Sequence, residues 1–179
     1  MGSTAVTNYL LLSAAFLLLS AATAHNVSPF CTNVTTTPDD KHICTQLVCN
    51  AKTWPEAMTN AIKGVIEIAN TAKPKVVDCV AANLPSIIES KAKEAITLGC
   101  LVSFETYVHN LEKCIEFVKS DPNSSLETYL SGSTFFDCKD GLDEFQLSFP
   151  EVNHFYHRTI KLANVLVSIY KTKPKTTKC

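Results

Sequence analysis

The chain has 179 residues, 16 Lys and Arg against 17 Asp and Glu, and a formal net charge of −1. A balance so near neutrality gives no electrostatic reason to expect nucleic acid or an anionic membrane as the main partner. Eight cysteines, an even count with no C-x-x-C among them, read as disulfides of an exported protein and argue against a zinc ribbon or a thioredoxin-type redox site.

No charged side chain precedes Asp39, and Tyr9 to Leu19 is an almost unbroken apolar run. That length suits the core of a secretory signal and is too short to span a bilayer. Ala22-Thr23-Ala24 supplies the small-x-small cleavage pattern, so the expected cut lies before His25, although the segment ahead of the apolar run has no Lys or Arg. Met1-Gly2 does not begin a myristoylation motif, because Val6 stands where Ser or Thr is needed. Residues 1–24 are therefore read as a signal peptide, and the product as soluble, extracellular and free of membrane once cleaved. Three N-x-S/T triplets, at Asn26, Asn33 and Asn123, are candidate glycosylation acceptors on that route.

Residues 25–53 are polar, turn-rich and cysteine-bearing, and read as an arm with short helical pieces. Helical periodicity then begins. Met58, Ile62, Val65, Ala69, Ala72 and Val76 step by three and four, Pro55 falls in the first turn, and Pro74 is expected to kink or restart the helix. The stripe is expected to resume with Val80, Leu84 and Ile87, with Pro85 marking its end. A second helix carries Leu101, Phe104, Val108, Leu111, Ile115 and Val118 on one face, and Asp121-Pro122-Asn123-Ser124-Ser125 breaks it. A third, less regular, carries Leu126, Tyr129 and Leu130, then Phe135, Phe136, Leu142 and Phe145. The last runs from Pro150 to about Tyr170, with Val152, Phe155, Tyr156, Leu162, Ala163, Leu166 and Ile169 on its apolar side. Strand-like alternation is absent. Four amphipathic helices can hide their stripes only against one another, so 54–170 is read as an all-α, up-and-down four-helix bundle, followed by a solvated lysine-rich tail at 171–179.

Eight cysteines permit about a hundred pairings. Cys100 and Cys114 share a helix face but lie about 21 Å apart along it, too far to bond. Folding the third helix antiparallel about the break near residue 121 brings positions near 140 opposite Cys100, which makes Cys138 a candidate partner. Cys31 and Cys44 would close the arm locally, giving a disulfide-closed helical hairpin. Cys49, Cys79, Cys114 and Cys179 remain unassigned.

No catalytic constellation stands out. His154-x-x-His157 with Glu151 one turn earlier lacks the HExxH spacing and any further ligand cluster, so these residues read as a solvated outer face. Asp137, Asp140, Asp143 and Glu144 form an acidic patch without the tight spacing and turn glycine of a calcium loop. G-x-S-x-G, P-loop and dinucleotide glycine motifs are missing. Neither an enzyme nor a bound metal or cofactor is expected. Plant lipid-transfer proteins would need adjacent cysteines and a C-x-C, and a secreted phospholipase a Cys-Cys-x-x-His-Asp stretch; the chain has neither.

Gly99-Cys100-Leu101, followed by Phe104, Tyr107, Leu111 and Glu112, resembles the second bundle helix of the plant invertase and pectin methylesterase inhibitor family. Phe136-Asp137-Cys138-Lys139-Asp140-Gly141-Leu142 is similar to the segment around that family's fourth cysteine, and Leu162 to Ile169 to its closing helix. The resemblance covers nearly all of the chain after residue 24. It departs in a longer stretch between Cys31 and Cys44, in the lack of the common aromatic-Pro pair there, and in four additional cysteines. The resemblance implies a non-catalytic protein of the plant cell wall space that binds a carbohydrate-active enzyme one to one. Invertase inhibitors of the family carry Pro-Lys-Phe in the loop between the second and third bundle helices. The matching positions are Pro122, Asn123 and Ser124, where only the proline remains. The lost ammonium removes a charge-assisted contact of about 1.5–3 kcal/mol, and a glycan on Asn123 would obstruct the loop. Pectin methylesterase is accordingly the expected target, through exposed helix positions such as Glu105, Asn110 and Glu112. Invertase is the alternative, and a non-inhibitory secreted helical signalling or binding protein is the reading outside the inhibitor class.

Overall fold

The computed structural model describes residues 27–34, 37–120, 125–132 and 135–174. A single 3-10 turn, Pro29–Cys31, opens them, and the α-helices are α1 Pro38–Val48, α2 Trp54–Asn83, α3 Ser90–Lys119, α4 Ser125–Gly132, α5 Phe136–Glu144 and α6 Pro150–Tyr170. No strand occurs among the described residues.

The starts of α1 and α2 follow from the same local chemistry. Thr37 and Thr53 hold extended backbone, and their hydroxyls accept the N–H groups of Asp40 (3.1 Å) and Glu56 (3.4 Å). Each also has a proline in its first turn, where a missing N–H costs nothing. A disulfide joins Cys31 to Cys44, with Cα atoms 5.8 Å apart, and folds the 3-10 turn onto α1. Cys31, Val34, Cys44 and Val48 are buried, so this arm adds its own apolar layer to the bundle.

Helices α2, α3, the α4–α5 pair and α6 form the four legs. Their alternating directions can be read from cross-links. Trp54, at the start of α2, donates its indole N–H to the carbonyl of Ile169 in the last turn of α6, at 3.0 Å. Phe117 near the end of α3 meets Tyr129 of α4 (centroids 5.1 Å apart). Cys100, further back on α3, is bonded to Cys138 of α5 across a Cα distance of 4.3 Å. Chain segments distant from a connection therefore meet again in reverse order, which is up-and-down topology.

Phe104, Phe135 and Phe155 fill the centre with centroids 4.4, 4.7 and 5.0 Å apart, and Tyr107 approaches Phe155 edge-on at 6.4 Å. These rings come from α3, the α4–α5 junction and α6, so the aromatic cluster ties three legs together. Buried Ser103 is satisfied by the Cys138 backbone N–H, which donates to its hydroxyl at 3.2 Å beside the disulfide.

Two expectations need correction. Helix α2 continues through Pro74 instead of restarting there. The proline removes the N–H that would meet the Asn70 carbonyl, but both residues are exposed, so water can take that bond. Val65, Ala69, Val76 and Val80 hold the flanking turns in the core. Ile87 does not extend the apolar stripe and is 91% exposed. Helix α2 ends at Asn83, Leu84 leaves in extended backbone, and a turn closed by Ile88 N–H to Pro85 C=O turns Ile88 inward in its place.

Candidate functional site

Helices α2 and α6 leave a groove of about 470 Å³ between them. Ile68, Ala72, Val76 and Phe155 form its apolar floor, and Glu67, Lys75, Glu151, His154 and Arg158 stand on its rims. Charges of both signs face one another there. At one end the Cys79 thiol donates to a Glu151 carboxylate oxygen at 3.1 Å. Burial, then the carboxylate beside it, pushes the thiol up from its ordinary value, and the same hydrogen bond holds the Glu151 carboxyl below the usual glutamate range. A thiol kept protonated is a poor nucleophile. The groove pairs an apolar floor with charged rims of both signs. Among the described residues no three His, Cys, Asp or Glu side chains cluster to hold a metal ion, and no helix is long and apolar enough to cross a membrane.

His154 and Glu151 are exposed on the rim, one helical turn apart. His157 is also exposed but points past the groove, with its ring 5.2 Å from that of Tyr156. Asp137, Asp140, Asp143 and Glu144 are exposed on α5, and Lys139 pairs with Asp143 within that helix. Glu105 and Glu112 are exposed on α3, whereas Asn110 is half-buried; Glu105 accepts from Lys73 of α2 at 3.1 Å, linking the two longest helices at their surface. Asn33 is exposed on the arm.

Pro122, Asn123 and Ser124, together with Asn26 and Cys179, lie outside the described residues, as does the proposed signal at 1–24. The last turn of α3 lines a second groove, of about 610 Å³, at the end of the bundle. Phe30, Trp54, Phe117, Lys52, Lys119 and Lys173 are among its lining residues. The Lys173 ammonium sits over the Trp54 ring, 5.2 Å from its centroid.

One surface escaped the sequence reading. Leu98 and Val102 are 53% and 48% exposed on α3; Phe145, expected in the apolar set of the third helix, instead falls just after α5 and is 48% exposed. Ala92, Ala95 and Gly99 line a shallow groove facing Gly141 and Phe145. The signal was present: Ala95, Leu98 and Val102 step by three and four beside the main stripe, as a second apolar row that a single-face reading passes over.

No protein-family model matches the chain, and no curated protein matches it by sequence. Among solved structures it is similar to a mutant form A of a pectin methylesterase inhibitor from Arabidopsis. The identity is 13% and the TM-score 0.61, and the match covers 84% of this chain and 98% of that one. A second crystal structure of a pectin methylesterase inhibitor, from Arabidopsis thaliana, gives 13% identity and a TM-score of 0.54 over 86% and 99% of the two chains. These structural neighbours are enzyme inhibitors rather than enzymes, and what the chain shares with them is the fold: an all-α, up-and-down bundle with a disulfide-closed N-terminal arm.

Proposed function

We propose that this chain is a secreted protein inhibitor that binds an extracellular carbohydrate-active enzyme one to one, with pectin methylesterase as its target. The observation that carries this reading is the extent of the fold likeness, which takes in 98% of a pectin methylesterase inhibitor chain rather than a few helices of it. On this reading residues 1–24 are removed as a signal peptide, 25–53 brace the molecule as an arm, and 54–170 form the bundle that meets the target. The tail, 171–179, is solvated, and the site of action is the plant cell wall space. Two disulfides suit an oxidising compartment, and Asn33 stands exposed for a glycan. A bundle held by cross-links loses little conformational entropy on docking, which favours tight binding by a rigid surface. Glu105 and Glu112 offer exposed carboxylates on α3.

Titration of the purified protein into pectin methylesterase and acid invertase at mildly acid pH tests the proposal. Esterase activity should fall in proportion to added protein and vanish near equivalence, with invertase unaffected. Retention of both activities at a large excess would overturn it and leave a non-inhibitory secreted binding protein. The double variant Asn123→Lys, Ser124→Phe should gain invertase inhibition if the 121–124 loop can dock as the family's Pro-Lys-Phe loop does.

A further inference from the structure

We propose that the groove at the end of the bundle binds an acidic oligosaccharide, a linear chain of uronate sugars. Its volume of about 610 Å³ is that of a small-ligand site. Phe30, Trp54 and Phe117 give it aromatic walls, and Lys52, Lys119 and Lys173 line it beside them. No Asp or Glu is among its described lining residues, in a chain whose net charge is −1. The three lysines are exposed, and none has a carboxylate partner among the described residues. The α2–α6 groove carries both signs instead, and the shallow groove at Phe145 has Asp137 and Glu144 with no lysine. Ammonium groups of one sign along a cleft, next to aromatic rings, complement a ligand that is both anionic and apolar-faced.

The parts are in place without a ligand. The Trp54 indole is fixed by its hydrogen bond to the Ile169 carbonyl and by the edge of Tyr170, with centroids 6.3 Å apart. Its ring in turn holds the Lys173 ammonium, 5.2 Å from the centroid. Phe117 is packed on Tyr129, and Phe30 belongs to the 3-10 turn that the Cys31–Cys44 disulfide ties to α1. A ligand therefore meets walls that need little ordering.

The lining selects carboxylates over phosphates. Phosphates are gathered by Arg forks and by free N–H groups at a helix start. Here the lining has no arginine, Pro55 has no N–H, and the Thr53 hydroxyl already accepts the N–H of Glu56 at 3.4 Å. A uronate chain brings one carboxylate per ring, which suits separate lysine point charges, and ring C–H groups that lie on aromatic faces. The choice of a uronate rests on the proposed role beside a pectin methylesterase, because hydrolysis of methyl esters leaves carboxylates along a polysaccharide. The groove then tethers the inhibitor to the strand that its target has de-esterified.

Trp54 is the sole tryptophan of the chain, so its emission reports on this groove. The purified protein is titrated with de-esterified and with fully methyl-esterified oligogalacturonide, followed by that emission and by calorimetry, with no esterase present. The de-esterified oligomer should bind saturably and shift the emission, more weakly as salt is raised, and the esterified one should not bind. The double variant Lys52→Gln, Lys119→Gln should lose about tenfold in affinity with an unchanged urea midpoint. Equal binding of the two oligomers, no binding heat with the de-esterified one, or full affinity in the double variant would overturn the proposal. Tighter binding of inositol hexakisphosphate or of anionic phospholipid vesicles would overturn it too. Since no esterase takes part, these outcomes are read separately from whether the chain inhibits one.

Discussion

The three phenylalanines at the centre differ in how their loss would be felt. Phe135 is wholly buried and packs on both Phe104 and Phe155, at the junction where α4 gives way to α5. Phe135→Ala should cost about 3–5 kcal/mol in urea unfolding, because two rings lose a neighbour at once. A loss under 1 kcal/mol would mean the junction collapses freely into the cavity. Tyr107 makes a different prediction. Burial, and then the negative charge Cys114 acquires at alkaline pH, pushes its phenol above the ordinary value of 10.0. The unfolded chain therefore ionises first, so this stabilisation is complete below about pH 10 and is lost as the pH rises beyond it. Tyr107→Phe should flatten the alkaline limb of a Tm-against-pH curve, and parallel curves for the two proteins would show that burial does not act on this group.

At the level of elements, Gly99 and Gly141 stand inside helices with nothing within 4 Å of where a Cβ would be. Gly99→Ala should raise stability by about 0.5–1 kcal/mol through helix propensity alone, read as a higher urea midpoint. Gly64 is unlike them, because a Cβ there would stand 2.6 Å from Leu47 Cδ2, and the arm's helix lies close to α2 at that point. What could be read from sequence follows the strength of each local signal. Helix α6 was legible from Pro150 to Tyr170 because a proline starts it and an apolar row recurs throughout its length. The third leg could be sensed only as irregular. It is two short helices, the first ending at Gly132, and Phe135 holds a non-helical backbone before the second. At Pro74 a kink or a restart was expected, and the restart does not occur because the packing on either side holds the helix continuous. The first turns of α3 went unread, since Ser90 to Gly99 carries little of the main stripe and its N-cap residue, Glu89, makes no side-chain cap bond. The exposed row at Leu98 and Val102 was missed for the related reason that periodicity finds the face turned inward and says less about a second one. Which surface meets a target is set by a partner's shape, and that is not written in the periodicity of one chain.

For the molecule as a whole, the Cys100–Cys138 bridge links residues 38 apart in sequence and crosses from α3 to α5. Replacing both cysteines by serine should cost about 4 kcal/mol on the chain-entropy account. The lost Ser103–Cys138 geometry would add to it. Calorimetry of the double variant checks this, and an unchanged Tm would show that the bridge constrains an already compact unfolded state. The Trp54–Ile169 hydrogen bond spans 115 residues of sequence, so it is satisfied only when the bundle closes on itself. Trp54→Phe should cost about 1 kcal/mol and loosen Lys173 along with it, giving faster hydrogen exchange in the last turn of α6.

That closure also places Phe30 and Pro174 on the walls of one groove, so the chain enters and leaves the bundle at neighbouring points. The molecule is in effect a ring interrupted at one place, and where the interruption falls is open to choice. A short linker from Pro174 back to Val27, with new ends cut into the exposed Pro85–Ser86–Ile87 turn, should yield a circular permutant that keeps every helix. The same adjacency would let the bundle be set into a surface loop of a host protein without pulling the host's backbone apart.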